Sequence, residues 1–155
     1  MDYLVNLSQL YPDPALNERM MNAGVTIRRV LAPELELVTD WVRRKFQSLW
    51  SSETTIAMSR QPPACFLAAR EDGLIGFACY DTTARGFFGP TGVDEAERGT
   101  GIGHALLLAT LLDMKDMGYG YAIIGDVGPV AFYEHTVGAI PIPDSEPGIY
   151  RGMLG

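Results

Sequence analysis

A glycine-rich turn is the part of the sequence whose residue types point most directly to chemistry. Residues 98–103 read Arg-Gly-Thr-Gly-Ile-Gly, and they lie between an apolar strand candidate and a long apolar helix candidate. The first N–H groups of a helix have no partner within the helix and lie at the positive end of its dipole. Because glycines lack the Cβ atoms that would hold a ligand away, the turn predicts a cradle of backbone N–H groups for a phosphate.

Three classes of cofactor site use such a cradle. The P-loop requires Gly-Lys-Ser/Thr, and no lysine follows this turn, so that class is excluded. The dinucleotide fingerprint has the spacing Gly-x-Gly-x-x-Gly, whereas the spacing here is Gly-x-Gly-x-Gly and a complete hairpin precedes it. The third pattern, Arg/Gln-x-x-Gly-x-Gly/Ala, is matched in full by residues 98–103.

With this motif in place, the chain resembles the GCN5-related N-acetyltransferase (GNAT) family from about residue 25 to the C-terminus, most strongly over residues 86–138. The motif resembles the family's pyrophosphate-binding turn. Phe132-Tyr133-Glu134, followed by Val-Gly-Ala at 137–139, resembles the Leu-Tyr-Glu-Lys-Leu-Gly-Phe pattern of its fourth helix. The resemblance implies acetyl-CoA or coenzyme A as the cofactor, and it implies a set of cofactor-binding residues: Gly92, Val93, Arg98, Gly99, Thr100, Gly101, Ile102, Gly103, His104 and Tyr133.

The resemblance also implies a reaction. An acetyl group would pass from acetyl-CoA to a primary amine of a small-molecule or peptide acceptor, directly and within a ternary complex. The backbone of Val93 would pair with the pantetheine arm, and an N–H group near it would donate to the acetyl carbonyl. Tyr133 falls on the family's general-acid tyrosine, which protonates or hydrogen-bonds the leaving sulfur.

The general base is less defined, because the acceptor amine must lose a proton and the strand at residues 87–93 lacks the glutamate that many family members place there. Asp81, Asp126 and Glu53 are the candidates. We expect Asp126 to be the second catalytic residue, although many relatives carry at this place an asparagine that touches the cofactor arm. His104 could approach a phosphate or simply face solvent.

The coarse order of elements places these residues on a mixed α/β fold. The expected elements are a helix from Asp13-Pro14 to Gly24, a strand at 25–30, a helix from Pro33 with Leu37, Val38, Trp41 and Val42 on its apolar face, a helical piece at 51–59, hairpin strands at 65–69 and 74–80, a strand at 87–93, a helix to about 117, a strand at 121–125, a helix at 130–135, and closing strands at 139–142 and 148–151.

The fold implied is GNAT-like, with a central, mixed but mostly antiparallel sheet flanked by helices and with the family's strands four and five splayed apart. Pro90 within the strand at 87–93 cannot donate to the ladder, so that strand is expected to be bulged or locally unpaired. We expect a single domain over residues 1–155, with residues 1–24 as an N-terminal extension packing on it.

The composition narrows the partners. The net charge is −7 and no basic run exists, so nucleic-acid binding is not expected, whereas a cationic acceptor is compatible with an acidic surface. Cys65 and Cys79 are expected to be buried free thiols, and no metal-ligand spacing is present. No signal peptide or long apolar run is found, which favours a cytoplasmic protein without a membrane partner. A homodimer is possible.

Three alternatives remain open at this stage. A non-catalytic acyl-CoA-binding module would keep the turn and lack a working base. An acyltransferase could use another acyl group or another nucleophile. A nicotinamide-dependent oxidoreductase is disfavoured by the glycine spacing.

Overall fold

The computed structural model describes all 155 residues, which form seven strands and five α-helices. The strands are β1 (Tyr3–Asn6), β2 (Thr26–Arg29), β3 (Cys65–Arg70), β4 (Gly73–Tyr80), β5 (Phe87–Val93), β6 (Tyr121–Ile124) and β7 (Ile140–Pro141). The helices are α1 (Pro14–Asn22), α2 (Leu35–Lys45), α3 (Ser48–Met58), α4 (Ile102–Asp116) and α5 (Val130–Val137).

All seven strands belong to one sheet in the order β2-β3-β4-β5-β6-β1-β7. Every neighbouring pair is antiparallel except β5 and β6, so the mixed, mostly antiparallel sheet predicted from the sequence is confirmed. The predicted hairpin of β3 and β4 turns at Asp72-Gly73 and sets Cys65 opposite Cys79. Both thiols are free and buried, and the neighbouring Cys79 and burial raise the pKa of Cys65.

Strand β5 carries the predicted bulge. Ala78 pairs with Thr91 and Tyr80 with Phe88, so Gly89 and Pro90 together oppose the single residue Cys79. Proline has no N–H to give to the ladder, and the bulge accommodates it without loss of the flanking pairs. The Thr82 hydroxyl donates to the Gly89 carbonyl at 3.1 Å, which gives that carbonyl a partner.

The sheet opens beside this bulge. Only two residue pairs join β5 to β6, Phe87 with Ile123 and Phe88 with Ile124. Strand β6 then ends, whereas β5 continues to Val93 against β4. Strands β5 and β6 therefore diverge beyond this point and leave a gap between them, as the resemblance implied for these two strands.

Helices cover both faces of the sheet. Helix α4 packs on β3, β4 and β5, and its fully buried Leu106, Leu107, Leu111 and Met114 explain why its apolar residues surround most of its circumference. On the opposite face, Trp41 of α2, Phe46 between α2 and α3, and Trp50 of α3 form an aromatic cluster around Phe77 of β4, with ring centroids 5.3–6.3 Å apart. None of the helices is long and apolar enough to cross a bilayer.

Strand β1 was not predicted from the sequence. The expected N-terminal extension supplies this strand, which pairs antiparallel with β6 on one side and with β7 on the other. Leu7 follows it, is fully buried, and its N–H donates to the Gly120 carbonyl at 3.1 Å. The segment therefore forms part of the sheet as well as packing on it.

One feature of the closing region and one of α2 differ from the sequence-based expectation. Residues 148–151 do not form a strand; Gly148–Tyr150 is a 3₁₀ turn that follows Pro147, and Gly148 has φ +61°. Strand β1 pairs with β6 in the position that a closing strand could have occupied. Only the two-residue strand β7 lies beyond β1 at this edge of the sheet. Leu37, expected on the apolar face of α2, is 61% exposed.

Candidate functional site

The glycine-rich turn exposes a run of uncommitted donors. None of the six consecutive backbone N–H groups from Gly99 to His104 donates to an acceptor in the protein, backbone or side chain. Gly99 and Gly101 have φ values of +80° and +92°, a region that side-chain-bearing residues rarely adopt. The turn can therefore point its N–H groups outward at the start of the 15-residue helix α4, where the helix dipole adds positive potential.

Side chains around the turn hold its shape. The Thr100 hydroxyl donates to the Glu97 carbonyl at 2.7 Å, and the Glu97 carboxylate is held by both Nε and Nη2 of Arg70, at 3.1 and 2.9 Å. The hydrogen bond from Arg70 is the main reason that the pKa of Glu97 is lowered. Because Glu97 is paired in this way, its charge opposes an anion at the turn less than a free carboxylate would.

The backbone of Val93 faces the gap between β5 and β6. The Asp94 N–H donates to the Ile75 carbonyl at 2.8 Å, which makes that pair a hydrogen-bonded one. Antiparallel pairs alternate, so the N–H and C=O of Val93, opposite Gly76, point away from β4. At present Nε of Arg98 donates to the Val93 carbonyl at 3.3 Å.

Three elements approach one another beside the turn. A Cβ at Gly103 would lie 3.8 Å from Cγ2 of Val93 and 3.9 Å from the Phe132 ring, so α4, β5 and α5 meet at this point. A Cβ at Gly92 would overlap the ring of Phe46, which packs directly on the strand from the α2 side. The residues predicted to bind a cofactor, from Gly92 to His104, are thus contiguous in space with α5.

Tyr133 of α5 is 5% exposed and packs edge-on against Phe88, with ring centroids 6.4 Å apart, and against Phe132 at 5.1 Å. Its hydroxyl forms no hydrogen bond with the protein. Because every fully buried side-chain N or O atom has a hydrogen-bond partner, this hydroxyl retains some exposure to solvent. Burial raises the pKa of Tyr133 to about 12, so the phenol keeps its proton at neutral pH and can donate it.

The carboxylates considered as general bases are in different situations. Asp81 has φ +56°, and its two oxygens accept from the Gly86 N–H at 2.7 Å and from the Tyr119 hydroxyl at 2.6 Å. Burial and this bond to Asp81 raise the pKa of Tyr119 to about 12. Asp81 therefore stabilises the turn before β5, and its oxygens are committed there.

Asp126 and Glu53 both keep a carboxylate oxygen without a partner in the protein. Asp126 is exposed in the turn after β6, with φ +48°, and its N–H donates to the buried Asp2 at 3.1 Å. Oε2 of Glu53, on α3, accepts from the Thr83 hydroxyl and shares the Thr82 hydroxyl proton with the Gly89 carbonyl, while Oε1 has no partner. Both carboxylates contribute to the raised pKa of Tyr150.

Tyr150 is a feature of the site that sequence reasoning missed. A Cβ at Gly125 would overlap its hydroxyl and would lie 3.1 Å from the Phe87 ring, so Tyr150 packs on Gly125 just after the end of β6. Burial, followed by the carboxylates of Glu53, Asp2 and Asp126, raises the pKa of Tyr150 to about 12. Since these residues come from four distant parts of the chain, no local motif could have indicated this cluster.

The two histidines take no visible part in these contacts. His104 is half-buried in the first turn of α4, with its backbone N–H among the uncommitted donors. His135 is exposed on α5, two residues beyond Tyr133 and on another side of the helix. No group of three or more His, Cys, Asp or Glu side chains is arranged to hold a metal ion.

The observed cradle fits a phosphate-bearing cofactor, since six free N–H groups and two glycines with positive φ, Gly99 and Gly101, lie together at one helix start. The family model described as the Acetyltransferase (GNAT) family matches residues 35–139, which includes the turn and Tyr133. No curated protein matches the sequence.

Solved structures share the fold. A glucosamine N-acetyltransferase region of a fungal multi-domain β-N-acetylglucosaminidase has a TM-score of 0.74 at 18% identity, over 90% of this chain and 19% of that one. A GCN5-related N-acetyltransferase from Sphaerobacter thermophilus has a TM-score of 0.67 at 20% identity, over 90% of this chain and 47% of that one. An aminoglycoside acetyltransferase from an uncultured soil metagenomic sample has a TM-score of 0.56 at 16% identity, over 75% of this chain and 89% of that one. This chain thus spans less than half the length of the first two proteins.

Proposed function

Because the chain belongs to the GNAT acetyltransferase family, we propose that it transfers an acetyl group from acetyl-CoA to a primary amine, directly and within a ternary complex. The observation that carries the proposal is the run of six uncommitted N–H groups from Gly99 to His104 beside the open gap between β5 and β6. A pyrophosphate at the turn and a pantetheine arm along Val93 would use the donors and the gap together.

The acyl group is supplied by the thioester of the cofactor, and the chain's own residues bind it and manage protons. In our proposal Arg98, the turn and His104 hold the pyrophosphate through backbone N–H groups and positive charge. The outward-facing N–H and C=O of Val93 pair with the arm as a neighbouring strand would. An N–H group of β5 near Val93 donates to the carbonyl oxygen as negative charge develops on it.

Tyr133 is proposed as the acid. Its pKa of about 12 keeps the phenol protonated, and its hydroxyl has no partner in the protein. It can hydrogen-bond or protonate the sulfur as the thiolate leaves. Since a thiol has a reference pKa of about 8.5 and is already a fair leaving group, this assistance is moderate.

For the base we retain Asp126, with Glu53 as the competing candidate. Asp126 follows β6 at the mouth of the gap, and Glu53 has a free Oε1 on the face of the sheet that carries α3. A carboxylate at either place can accept the proton of an ammonium directly or through water. Strand β5 has no carboxylate of its own, so one of these two residues or a water relay has this role.

The acceptor is proposed to be a cationic amine. After burial, the carboxylates of Glu53, Asp2 and Asp126 raise the pKa of Tyr150, and the whole chain has a net charge of −7. Negative potential at this place would concentrate an ammonium substrate. Two of the structures with the same fold are described as transferases for glucosamine and for aminoglycosides, so amino sugars are the first compounds to test.

The test is thiol release from acetyl-CoA in the presence of glucosamine, an aminoglycoside, spermidine and a peptide with a free N-terminus. Glucose, which lacks the amine, is the matched control for glucosamine. Release that requires both the enzyme and an amine supports the proposal. No release with any amine, despite cofactor binding, would favour a non-catalytic acyl-CoA-binding module, and release only with propionyl-CoA or longer thioesters would change the acyl group.

A further inference from the structure

An arginine outside the segment matched by the family model lies on the glycine-rich turn. Arg19 belongs to α1, and its Nη2 donates to the Thr100 carbonyl at 3.0 Å. Its guanidinium also packs on Gly101, where a Cβ would lie 3.1 Å from the guanidinium carbon and 3.2 Å from either terminal nitrogen. The contact spans 81 positions in sequence, so it exists only because α1 docks beside the start of α4.

The charge of Arg19 is not neutralised within the protein. Five of the other nine arginines are paired with carboxylates, among them Arg28 with Glu34, Arg29 with Asp113 and Arg70 with Glu97. Arg19 forms no ion pair, and only one of its five N–H donors is used. An exposed guanidinium beside six free backbone N–H groups gives the turn a positive electrostatic potential on a protein whose net charge is negative.

Helix α1 is held firmly enough to keep Arg19 there. The Asp13 side chain caps the helix by accepting from the Leu16 N–H at 3.1 Å, and Leu16 and Met20 are buried. Before the helix, Lys115 of α4 donates to the Leu10 carbonyl at 2.9 Å. The N-terminal segment is therefore attached at both ends of α4, and Arg19 loses less side-chain freedom on binding than a residue on a loose tail would.

We propose that Arg19 is a phosphate-binding residue of the acyl-CoA site, contributed by α1. The proposal rests on the proposed function, because it assumes that a coenzyme A phosphate occupies the turn. A guanidinium can present two parallel N–H groups to a phosphate, and such charge-assisted bonds are among the stronger ones. The glycine at position 101 then serves two partners, since it leaves room for the ligand and for the flat face of Arg19.

The experiment is calorimetric titration of coenzyme A into the full chain and into Arg19→Gln, Arg19→Lys and Arg85→Gln. Arg85 is the matched control, an exposed arginine before β5 that forms no ion pair and is outside the proposed site. We expect Arg19→Gln to weaken binding about tenfold, Arg19→Lys to retain part of the affinity, and Arg85→Gln to change nothing. The loss should shrink at high salt, because the lost interaction is between charges.

Two results would overturn the proposal, and they can be told apart. If the unaltered chain binds coenzyme A and Arg19→Gln binds it equally well, Arg19 has no such role while the proposed function stands. If the unaltered chain does not bind coenzyme A, the proposed function fails and this inference fails with it. Equal unfolding temperatures of the ligand-free variants exclude misfolding as the cause of a loss.

A parallel titration with 3′-dephospho-CoA locates the phosphate. If Arg19→Gln also lowers the affinity for this analogue about tenfold, the result supports contact of Arg19 with the pyrophosphate. If Arg19→Gln lowers the affinity for coenzyme A but not for the analogue, the result supports contact of Arg19 with the 3′-phosphate. Either outcome supports the proposal, whereas no loss with either ligand contradicts it.

Discussion

At the scale of single residues, Tyr133 combines an apolar enclosure with a hydroxyl that has no partner in the protein. Tyr133→Phe keeps the ring that packs on Phe88 and removes only the donor. We expect turnover to fall about tenfold or more, while the affinity for acetyl-CoA changes little. Steady-state kinetics measures both, with Tyr121→Phe, at a 60% exposed position, as the control. Unchanged turnover would remove Tyr133 from the role of acid.

Gly101 tests the cradle at the same scale. Gly101→Val should abolish cofactor binding, because the new side chain would strain a backbone at φ +92°, displace Arg19 and obstruct the phosphate. Gly118→Val is the matched control, since Gly118 has φ +102°, has no atom within 4 Å of its Cβ position and lies at the far end of α4. Calorimetry on both variants separates backbone strain from obstruction of the site; retained affinity in Gly101→Val would show that the phosphate binds elsewhere.

How far these residues could be predicted depends on whether their neighbours are close in sequence. The turn at residues 98–103 was readable because its donors are consecutive backbone groups at a helix start. The choice among Asp81, Asp126 and Glu53 was not, since it depends on which carboxylate has free oxygens in the folded chain. Arg19 gave no signal at all, because an arginine on an exposed helix is ordinary until the docking of that helix is known.

At the scale of elements, the N-terminal segment is integrated into the sheet. We therefore expect truncation of its buried side chains to lower the free energy of unfolding. Leu7→Ala should lower the free energy of unfolding by about 2–5 kcal/mol, because Leu7 is fully buried beside β1. Denaturant titration measures this change. Leu31→Ala, at a 60% exposed position, is the control and should change stability by about 0.5 kcal/mol or less. Equal stability of the two variants would contradict the integrated role of the segment.

The elements with strong local signals were predicted, and the weak ones were not. Asp72-Gly73 between two apolar runs gave the β3–β4 hairpin, and Pro90 gave the bulge in β5. Strand β1 has four residues, too few for a period, and its partner β6 is more than a hundred residues away. Because β1 fills the place beside β6, the expected closing strand at 148–151 is a 3₁₀ turn instead, and that placement is a property of the whole sheet.

At the scale of the whole molecule, ionisable groups define a pH range of stability. Hydrogen bonds from Arg28, Lys45 and Arg70 lower the pKa values of Glu34, Asp94 and Glu97, respectively. The stability that these carboxylates contribute is present above their unfolded pKa of about 4 and is lost as the pH falls through the lower folded values.

Tyrosine hydroxyls affect stability at the alkaline end of the pH range. The pKa values of Tyr119, Tyr133 and Tyr150 are raised to about 12, so their contribution is complete below the unfolded pKa of about 10 and is lost as the pH rises through the folded values. We expect the unfolding temperature to be nearly constant from about pH 6 to 9 and to fall on both sides. Arg70→Gln should weaken the acid-side fall; an acid-side curve identical to that of the unaltered chain would contradict the role given to Glu97.

The central claim is that the turn at residues 98–103 holds the pyrophosphate of an acyl-CoA. The most direct measurement is calorimetric titration of acetyl-CoA into the chain, with NAD and ATP as control ligands. We predict saturable binding of acetyl-CoA at one site per chain, abolished in Gly101→Val, and no comparable binding of NAD or ATP. Absence of acetyl-CoA binding, or preferential binding of NAD, would contradict the proposed transferase and leave only the shared fold.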